Sequence, residues 1–285
     1  MAIVYDKLMA LKIPDAEHTY TVKDTMLYAL GVGVGQDSTD RQQLDFVYEK
    51  NLKALPTFAC LLGYPGFWVR DLDTGIDWVK IVNGEQSFKL EGPVKPSGTV
   101  VGRTRIVEVI DKGAGKGAVV YTERKITDKA SGALVATVWQ TTFCRADGGF
   151  GGPPRESPPT HKTPERAPDL VCDLETRPEM ALLYRLSADL NPLHADLDVA
   201  AAAGYPRPIL HGLGTFGVVG HALLKSVCNY DSTKLVAMGG RFSSPVFPGE
   251  TIRTEMWRDG NVISFRALVP ARNIVAMSNG RAEVK

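Results

Sequence analysis

The amino-acid sequence predicts an α+β protein in which a long helix packs against an antiparallel sheet, and in which this arrangement occurs twice. Three observations carry the prediction: stretches where apolar and polar residues alternate, segments with apolar residues at helical spacing, and two halves with similar motifs in the same order. The chain has 285 residues, 44% hydrophobic and 23% charged, so it can bury a substantial core.

The first half contains three stretches in which apolar and polar residues alternate, as they do along strands with one buried face. Glycines between the first two stretches mark a turn. We expect a helical stretch, a loop and then a longer helix to precede these strands. The three predicted strands span residues 99–110, 117–127 and 134–145.

The second half repeats this element order, and its longer helix is the clearest in the chain. Six apolar or small residues recur there at roughly helical spacing, which indicates an amphipathic or buried helix. Two alternating stretches, VISFRALV and NIVAMSNGRAEV, follow it like half-buried strands. The helical positions are Leu213, Phe216, Gly220, Leu223, Leu224 and Val227.

Matching motifs indicate that the two halves are copies of one domain. TMLYALGVG at residues 25–33 resembles ALLYRLSAD at residues 181–189, and Pro-Val-Lys-Pro later matches Pro-Val-Phe-Pro at nearly the same offset. Because order and spacing both agree, we predict a duplicated domain. Gly33 occupies the place of Asp189, so the N-terminal copy lacks the chemistry if Asp189 is catalytic.

One segment, GGFGGPPRESPPTHKTPERAP at residues 148–168, separates the two halves. It holds six prolines and four glycines and shows no apolar periodicity. Such a composition cannot bury enough apolar surface to form a helix or strand, and it predicts a linker. The predicted domains are therefore residues 1–147 and residues 169–285.

The net charge and the cysteines indicate which partners and which cellular compartment to expect. The net charge of +1 gives no indication of nucleic acid or an anionic membrane as the main partner. No stretch is apolar for long enough to span a bilayer. The four cysteines form no CxxC pair, which is typical of a reducing compartment. Without a signal-peptide pattern or a peroxisomal C-terminal tripeptide, we expect a cytoplasmic location.

The segment richest in chemically useful side chains is YRLSADLNPLHADLDVAAAAGYPRPILHGLGTFG, residues 184–217. Asn191 precedes a proline and indicates a turn, which can bring Asp189 and His194 to one side of a loop. A carboxylate and an imidazole that share one water molecule form a general acid–base pair. We therefore predict Asp189 and His194 as the catalytic pair.

Gly212 begins the long helix of the second half. The first backbone N–H groups of a helix have no partner inside it, and the helix dipole is positive there. This position suits a developing oxyanion, and glycine lets a ligand approach the backbone closely. We predict that the Gly212 N–H binds such an oxygen.

The run LSADLNPLHADLDVAAAAGYPRPILHGLGTFG resembles the hydratase motif of the R-specific enoyl-CoA hydratases, the MaoC-like branch of the hot-dog superfamily. LYALGVG, LDFVYEKNLKALPTFA, GEQSFKL, DKGAGKGAVV, GGFGG and GRFSSPVFPGETIRTEMW resemble segments of the eukaryotic-type enzymes, including the hydratase domain of peroxisomal multifunctional enzymes. Those enzymes carry two hot-dog repeats in one chain, and only the second is catalytic. The resemblance implies a double hot-dog fold with two long helices wrapped by one extended antiparallel sheet.

The same resemblance implies reversible addition of water to a 2-enoyl-CoA to give a (3R)-hydroxyacyl-CoA, with no cofactor beyond the coenzyme A of the substrate. It places the catalytic roles on Asp189, His194 and Gly212. The acyl-CoA contacts fall on Asn83, Gly84, Lys112 and Phe242, and we add Asn191 to the substrate-binding residues. The family commonly has histidine at the position of Asn83, which leaves that one contact in doubt.

Several alternatives stay open at this level. Asp189, His194, Asp196 and His211 could hold a metal ion, although no cysteine joins them and we expect none. Rival functions are an acyl-CoA thioesterase on the same fold and a non-catalytic acyl-CoA-binding protein. We favour His194 as the base toward water, but the two roles could be reversed. A monomer and a homodimer are both compatible with the sequence. His18, His161 and His221 are expected to be solvated, and His211 to be hydrogen-bonded where the long helix begins.

Overall fold

A computed structural model describes residues 2–187 and 189–285, and one ten-stranded antiparallel sheet runs through this part of the chain. The predicted strands of both halves are present with ends shifted by only a residue or two. The strands are β1 Ala16–Tyr20, β2 Ile81–Leu90, β3 Gly98–Asp111, β4 Ala118–Asp128, β5 Leu134–Cys144, β6 Leu170–Glu175, β7 Leu235–Phe242, β8 Thr251–Asp259, β9 Val262–Val269 and β10 Ile274–Val284.

The strand order shows the duplication directly. It is β1-β3-β4-β5-β2-β7-β10-β9-β8-β6, so each half contributes five strands in mirror-related order, and β2 and β7 join at the centre. At this seam Glu85 pairs with Arg241, and their side chains form an ion pair at 2.7 Å. This arrangement confirms the predicted α+β double hot-dog fold.

Short helices surround one long helix. The α-helices are α1 Tyr5–Met9, α2 Val22–Gly31, α3 Arg41–Leu44, α4 Trp68–Asp71, α5 Met180–Tyr184, α6 Leu197–Ala202 and α7 Gly212–Ser226. Short 3-10 helices span Pro56–Cys60, Trp78–Lys80, Pro192–His194 and Pro270–Arg272.

The long helix α7 lies where the sequence predicts it and is buried along nearly its whole length. Two of its glycines face segments of the first repeat. A Cβ atom at Gly217 would lie 2.4 Å from a methyl of Val32, and one at Gly220 would lie 2.4 Å from the methyl of Thr57. Glycine at these positions therefore lets α7 approach the other repeat more closely than any residue with a side chain could.

The prediction of two long helices is wrong for the first repeat. Within the described residues its longest helix is α2, with ten residues, and the expected longer helix is the five-residue 3-10 helix Pro56–Cys60. Pro56 begins this segment, and Gly63, with a left-handed φ of 58°, ends it after less than two turns of helix. Because no long helix belongs to the first repeat in the described part of the chain, this repeat packs against α7 of the second repeat.

The two repeats share one hydrophobic core. Tyr28 and Tyr184, which occupy matching positions in the two motifs, contact each other with ring centroids 6.1 Å apart. Phe216 of α7 packs edge-on against Phe88 of the first repeat at 6.2 Å. Because the larger cluster of buried residues includes members of both repeats, we expect the two repeats to unfold together. A second, smaller cluster lies within the first repeat.

Residues 148–168 contain neither helix nor strand, as their composition predicts, yet they are tied to the sheet. The His161 ring hydrogen-bonds the Ser264 hydroxyl at 2.8 Å, and the Trp257 indole donates to the Arg166 carbonyl at 2.7 Å. Lys112 also donates to the Ser157 hydroxyl. The segment is therefore held against the sheet, and the division into residues 1–147 and 169–285 stays a prediction.

The four cysteines are free and buried in the described part of the chain. Burial raises the pKa of the Cys60 thiol to about 12, so that this thiol is protonated near neutral pH. Among the helices described, none has the length and apolar character required to cross a bilayer.

The expectation that three histidines are solvated is wrong. His221 is buried in α7 and hydrogen-bonds the Tyr230 hydroxyl at 3.0 Å, while His18 and His161 are half-buried. The spacing of apolar residues predicts a helix here but not that all its faces are covered. Packing buries every side of α7 around His221, so this polar residue has no exposed face. Burial lowers the pKa of His221 to about 4, well below its ordinary value of 6.5.

This buried imidazole predicts a stability that depends on pH. The unfolded chain binds a proton on each histidine near pH 6.5, whereas the folded chain keeps His221 neutral down to about pH 4. Unfolding therefore takes up protons in this window, and we expect the melting temperature to fall as the pH is lowered through it. His221→Gln, which stays neutral, should show a shallower fall in a thermal melting series. Equal pH dependence of both proteins would contradict this assignment.

Candidate active site

Asp189 and His194 lie on a loop between α5 and α6 that is folded by its own polar side chains. The Asp189 carboxylate accepts a hydrogen bond from the Asn191 N–H at 2.9 Å, and the Asn191 side-chain oxygen accepts one from the Leu193 N–H at 3.0 Å. These bonds begin the 3-10 helix Pro192–His194. The predicted turn is therefore present. The side-chain oxygen of Asn191, which the sequence assigned to substrate, here holds this turn.

The His194 ring is buried and has a defined proton position. Its Nδ1–H donates to the Ile209 carbonyl oxygen at 2.8 Å, because a carbonyl can only accept. The lone pair of the neutral ring is therefore on Nε2. Burial lowers the pKa of His194, and the negative charge of Asp189 opposes this effect only in part. The ring is thus a neutral base at physiological pH.

His211 lies directly behind this base. Its ring stacks on His194 with centroids 3.6 Å apart and planes inclined by 26°. Its Nε2–H donates to the backbone carbonyl of Asp189 at 3.0 Å, which confirms the hydrogen-bonded role predicted where α7 begins. Burial, followed by the neighbouring His194, lowers the pKa of His211 to about 4. His211 therefore fixes both the plane of His194 and the backbone that carries Asp189.

The carboxylate of Asp189 and one nitrogen each of His194 and His211 lie within 4.8 Å of one another. Three groups at this distance could also share a cation. The expectation that no metal is needed stays a prediction, which chelation tests.

Gly212 is the first residue of α7, next to His211 in the chain. In the part of the chain that the structure describes, its N–H has no hydrogen-bond acceptor, as expected for the first turn of a helix. A Cβ atom added to Gly212 would lie 3.5 Å from the ring of Phe242. Gly212 and Phe242 therefore flank the same space, one residue away from the ring that stacks on His194.

Asn83 and Gly84 lie at an irregularity of β2, close to the seam between the repeats. The Glu85–Arg241 pair ends the β2–β7 ladder, so Gly84 and Phe242 lie just beyond it on adjacent strands. A Cβ atom at Gly84 would lie 2.5 Å from the Thr141 hydroxyl. A side chain at this position would therefore clash, which explains why the residue is glycine. The exposed Asn83 side chain accepts a hydrogen bond from Gln140 at 2.8 Å. Both predicted contacts are thus adjacent to Phe242.

Lys112 is separate from this group. It follows β3, which lies three strand spacings from β2 in the sheet, a distance of about 14 Å. Lys112 therefore cannot contact the reacting atoms and could meet only a remote part of a long ligand. The other predicted residues, Asp189, His194, Gly212, Gly84 and Phe242, surround one region at the start of α7.

Two features of the site were not predicted from sequence. One is the His194–His211 stack, and the other is Tyr184, whose ring lies 4.8 Å from that of His211. The buried Tyr184 hydroxyl has no partner among the described residues, and burial raises its pKa. The repeat motif contains Tyr184, but only packing shows that it lies behind the catalytic loop.

Comparison with known proteins identifies the family of this chain. Residues 18–146 match the MFE-2 hydratase 2 N-terminal domain, and residues 159–278 match the MaoC like domain. Peroxisomal enoyl-CoA hydratase 2 of Arabidopsis thaliana is 37% identical, with 94% of this chain and 91% of that protein aligned. Enoyl-CoA hydratase ChsH3 of Mycobacterium tuberculosis is 34% identical, with 98% of each aligned.

A solved structure matches the whole fold. The crystal structure of a MaoC-like dehydratase from Phytophthora capsici superposes with a TM-score of 0.88 at 33% identity, covering 98% of both chains. Fold, repeat arrangement and sequence therefore agree over nearly the full length. The chain belongs to the hydratase 2 family, in which an MFE-2 hydratase 2 N-terminal domain precedes a MaoC-like domain.

Proposed function

We propose that this protein is an R-specific enoyl-CoA hydratase, which reversibly adds water to a trans-2-enoyl-CoA to give the (3R)-hydroxyacyl-CoA. The observation that carries the proposal is the neutral, buried imidazole of His194 beside the Asp189 carboxylate. Relatives named enoyl-CoA hydratase support the same reaction. We place this reaction in fatty-acid or sterol side-chain metabolism.

Hydration requires one proton to leave water and one to reach the α-carbon of the substrate. His194 Nε2 accepts the proton from water as the water oxygen bonds to the β-carbon and the double bond opens. The His194 imidazolium then passes this proton to the Asp189 carboxylate, and Asp189 delivers it to the α-carbon. The depressed pKa of His194 favours the transfer to Asp189, and the pair ends the cycle as it began, with a neutral imidazole and a carboxylate.

The thioester oxygen gains negative charge during this addition. The unpaired N–H of Gly212 at the start of α7 is placed to bind it, and such a donor contributes about 3 kcal/mol to lowering the barrier. Phe242 and Gly84 border the same space, and we propose that they contact the acyl-CoA together with Asn83 and Asn191. Lys112, farther along the sheet, suits a phosphate group of coenzyme A.

One assay tests the proposal against its rivals. The protein is incubated with trans-2-octenoyl-CoA, and the conjugated thioester absorbance, the free thiol and the products are followed. We expect loss of conjugation without release of thiol, and a (3R) product on chiral analysis. Release of thiol would indicate a thioesterase, no reaction would indicate a binding protein, and a (3S) product would reject the stereochemical assignment. Dialysis against EDTA should leave the rate unchanged, because the proposed reaction uses no metal or cofactor.

We further propose that the two repeats have different tasks. Residues 1–147 form a repeat without the catalytic pair, residues 148–168 connect it, and residues 169–285 carry the chemistry. Gly33, which matches Asp189, has a left-handed φ of 83°, a conformation that an aspartate would adopt only with strain.

This division predicts one active site per chain. Calorimetric titration with octanoyl-CoA, which cannot be hydrated, should give one molecule bound per chain. Gly33→Asp should not add a second site, because the stretch after it, VGQDSTD, contains no histidine. A stoichiometry of two for the wild-type protein would mean that the repeats are equivalent.

We propose a cytoplasmic location and no nucleic-acid partner. The near-neutral charge and the four free cysteines support these proposals, whereas the Arabidopsis relative is named as peroxisomal. Cell fractionation in the source organism distinguishes the two compartments. A single chain already contains both repeats, so a monomer suffices for activity, and sedimentation will show whether a homodimer forms.

A further inference from the structure

One buried cation has no anionic partner among the residues that the structure describes. Arg124 on β4 is 5% exposed, and its guanidinium makes one hydrogen bond, to the Cys60 carbonyl. A guanidinium has five N–H donors, and the Arg124 Nε–H has no acceptor in the described part of the chain. The groups that act on its charge are the Cys60 thiol and the Tyr64 hydroxyl, and burial lowers its pKa.

A buried charge of this kind is unfavourable unless it is paired. The Cys60 thiol does not pair with it, because burial raises the pKa of that thiol to about 12 and keeps it protonated. Arg241, by contrast, is paired with the carboxylate of Glu85. Arg124 therefore has the donors and the charge for an anion that residues 2–187 and 189–285 do not supply.

The guanidinium lines a small polar cavity of about 10 Å³, the room of one water molecule. Its other polar walls are Thr104, Thr122 and Gln140. The Thr104 hydroxyl is buried and has no partner within the described ranges, so it adds a second donor beside Arg124. Donors without acceptors on two adjacent strands indicate a site for an acceptor oxygen.

The cavity adjoins the proposed active site. Gln140, in its wall, donates to the side chain of Asn83 at 2.8 Å. Tyr64 covers it, with its ring 5.3 Å from the Arg124 guanidinium, and the charge of Asp189 also acts on the Tyr64 hydroxyl. The cavity thus lies within the first repeat, and the hydrogen bond between Gln140 and Asn83 connects its wall to a proposed acyl-CoA contact.

We propose that Arg124, with Thr104, binds a carboxylate on the far end of the acyl chain, so that the preferred substrates are monothioesters of 2-enedioic acids with coenzyme A. This inference rests on the proposed hydratase function. A carboxylate offers two acceptor oxygens in one plane, which matches a guanidinium edge better than a hydroxyl or a methyl does. Tyr64, 45% exposed, is the side chain that moves to admit it.

The phosphates of coenzyme A are a poorer match for this place. Trp68 and Val138 close the cavity on its apolar sides, and its volume admits one acceptor oxygen rather than a phosphate group. Lys112, near the outer end of the sheet, is available to a phosphate instead. The acyl end of the substrate is therefore the source of the anion.

The test compares trans-2-octenoyl-CoA with the coenzyme A monothioester of trans-2-octenedioic acid. We expect the wild-type protein to have the higher kcat/KM for the dioic substrate. Arg124→Met should lower kcat/KM for that substrate by ~10²-fold, mostly through KM, because the contact is the same before and during the reaction. The value for octenoyl-CoA should change by less than about 3-fold.

Three further variants complete the experiment. Arg124→Lys keeps the charge and should recover part of the dioic activity. Thr104→Val should lower only the dioic kcat/KM, by about 10-fold, and it carries the test if Arg124→Met does not fold. Lys125→Met, the exposed neighbour on the same strand, is the matched control and should change neither substrate.

The outcomes separate the two proposals. Equal losses on both substrates, or a wild-type protein without preference for the dioic thioester, would overturn the role of Arg124 and leave the hydratase function intact. Failure of the wild-type protein to hydrate either thioester would overturn the hydratase function itself.

Discussion

Asp189→Asn and His194→Ala are each expected to lower kcat by ~10²- to 10⁴-fold, as found for positioned acid–base groups. Asparagine cannot carry the proton to the α-carbon, and alanine removes the Nε2 lone pair. The kcat of the double variant should be only slightly below that of the less active single variant, because both side chains act on one water molecule. Initial rates with trans-2-octenoyl-CoA measure all three.

The same loop supplies a matched control for this experiment. Asp196 accepts hydrogen bonds from the N–H groups of Asp198 and Val199, where α6 begins. Asparagine caps the N-terminus of a helix as well as aspartate does. Asp196→Asn should therefore keep both the fold and near-native turnover. Near-native activity of both Asp189→Asn and His194→Ala would remove the pair from the mechanism.

Gly212→Val is expected to lower kcat by ~10²-fold or more, because added bulk moves the thioester oxygen away from the backbone N–H that stabilises it. The first added carbon would lie 3.5 Å from Phe242, an ordinary contact, so Gly212→Ala should fold normally and lose less activity. The methyl groups of valine extend farther into the space that the substrate needs. Kinetics and thermal unfolding of both variants measure this difference.

Gly92→Val is the control for replacing a glycine with valine outside the site. A Cβ atom there would meet nothing within 4 Å, and its φ is not left-handed. Gly92→Val should therefore leave turnover unchanged. If Gly212→Val were as active as Gly92→Val, the Gly212 N–H would have no part in the reaction.

Much of the fold follows from local sequence. Alternation places the predicted strands, such as residues 262–269, because one face of each strand is buried. Helical spacing predicts α7 for the same reason. The second long helix was predicted from the repeat, and it is absent because Pro56 and Gly63 limit that segment to a short turn. The backbone preferences of these two residues set the length of the helix, which the similarity between the repeats did not predict.

The catalytic loop could be predicted because its determinants are close together in the chain. Asp189, Asn191 and His194 lie within six residues, and a turn alone brings the first and last side chains to one side. Asn191 illustrates the limit of this reasoning. Its residue type indicates a polar contact, but only the structure shows that its oxygen is bonded to the backbone of Leu193.

Periodicity and short-range spacing along the chain are therefore enough to predict the fold class, the duplication and the turn that carries Asp189 and His194. The features behind and beside this turn depend on how distant segments pack: the stack of His211 on His194, the burial of His221, and the buried guanidinium of Arg124, whose Nε–H has no acceptor among the described residues. Arg124, for example, hydrogen-bonds the carbonyl of Cys60, which is 64 positions away in the sequence. Contacts between such distant positions, and the pKa shifts they cause, arise only when the sheet and α7 pack, because burial and charge act through space.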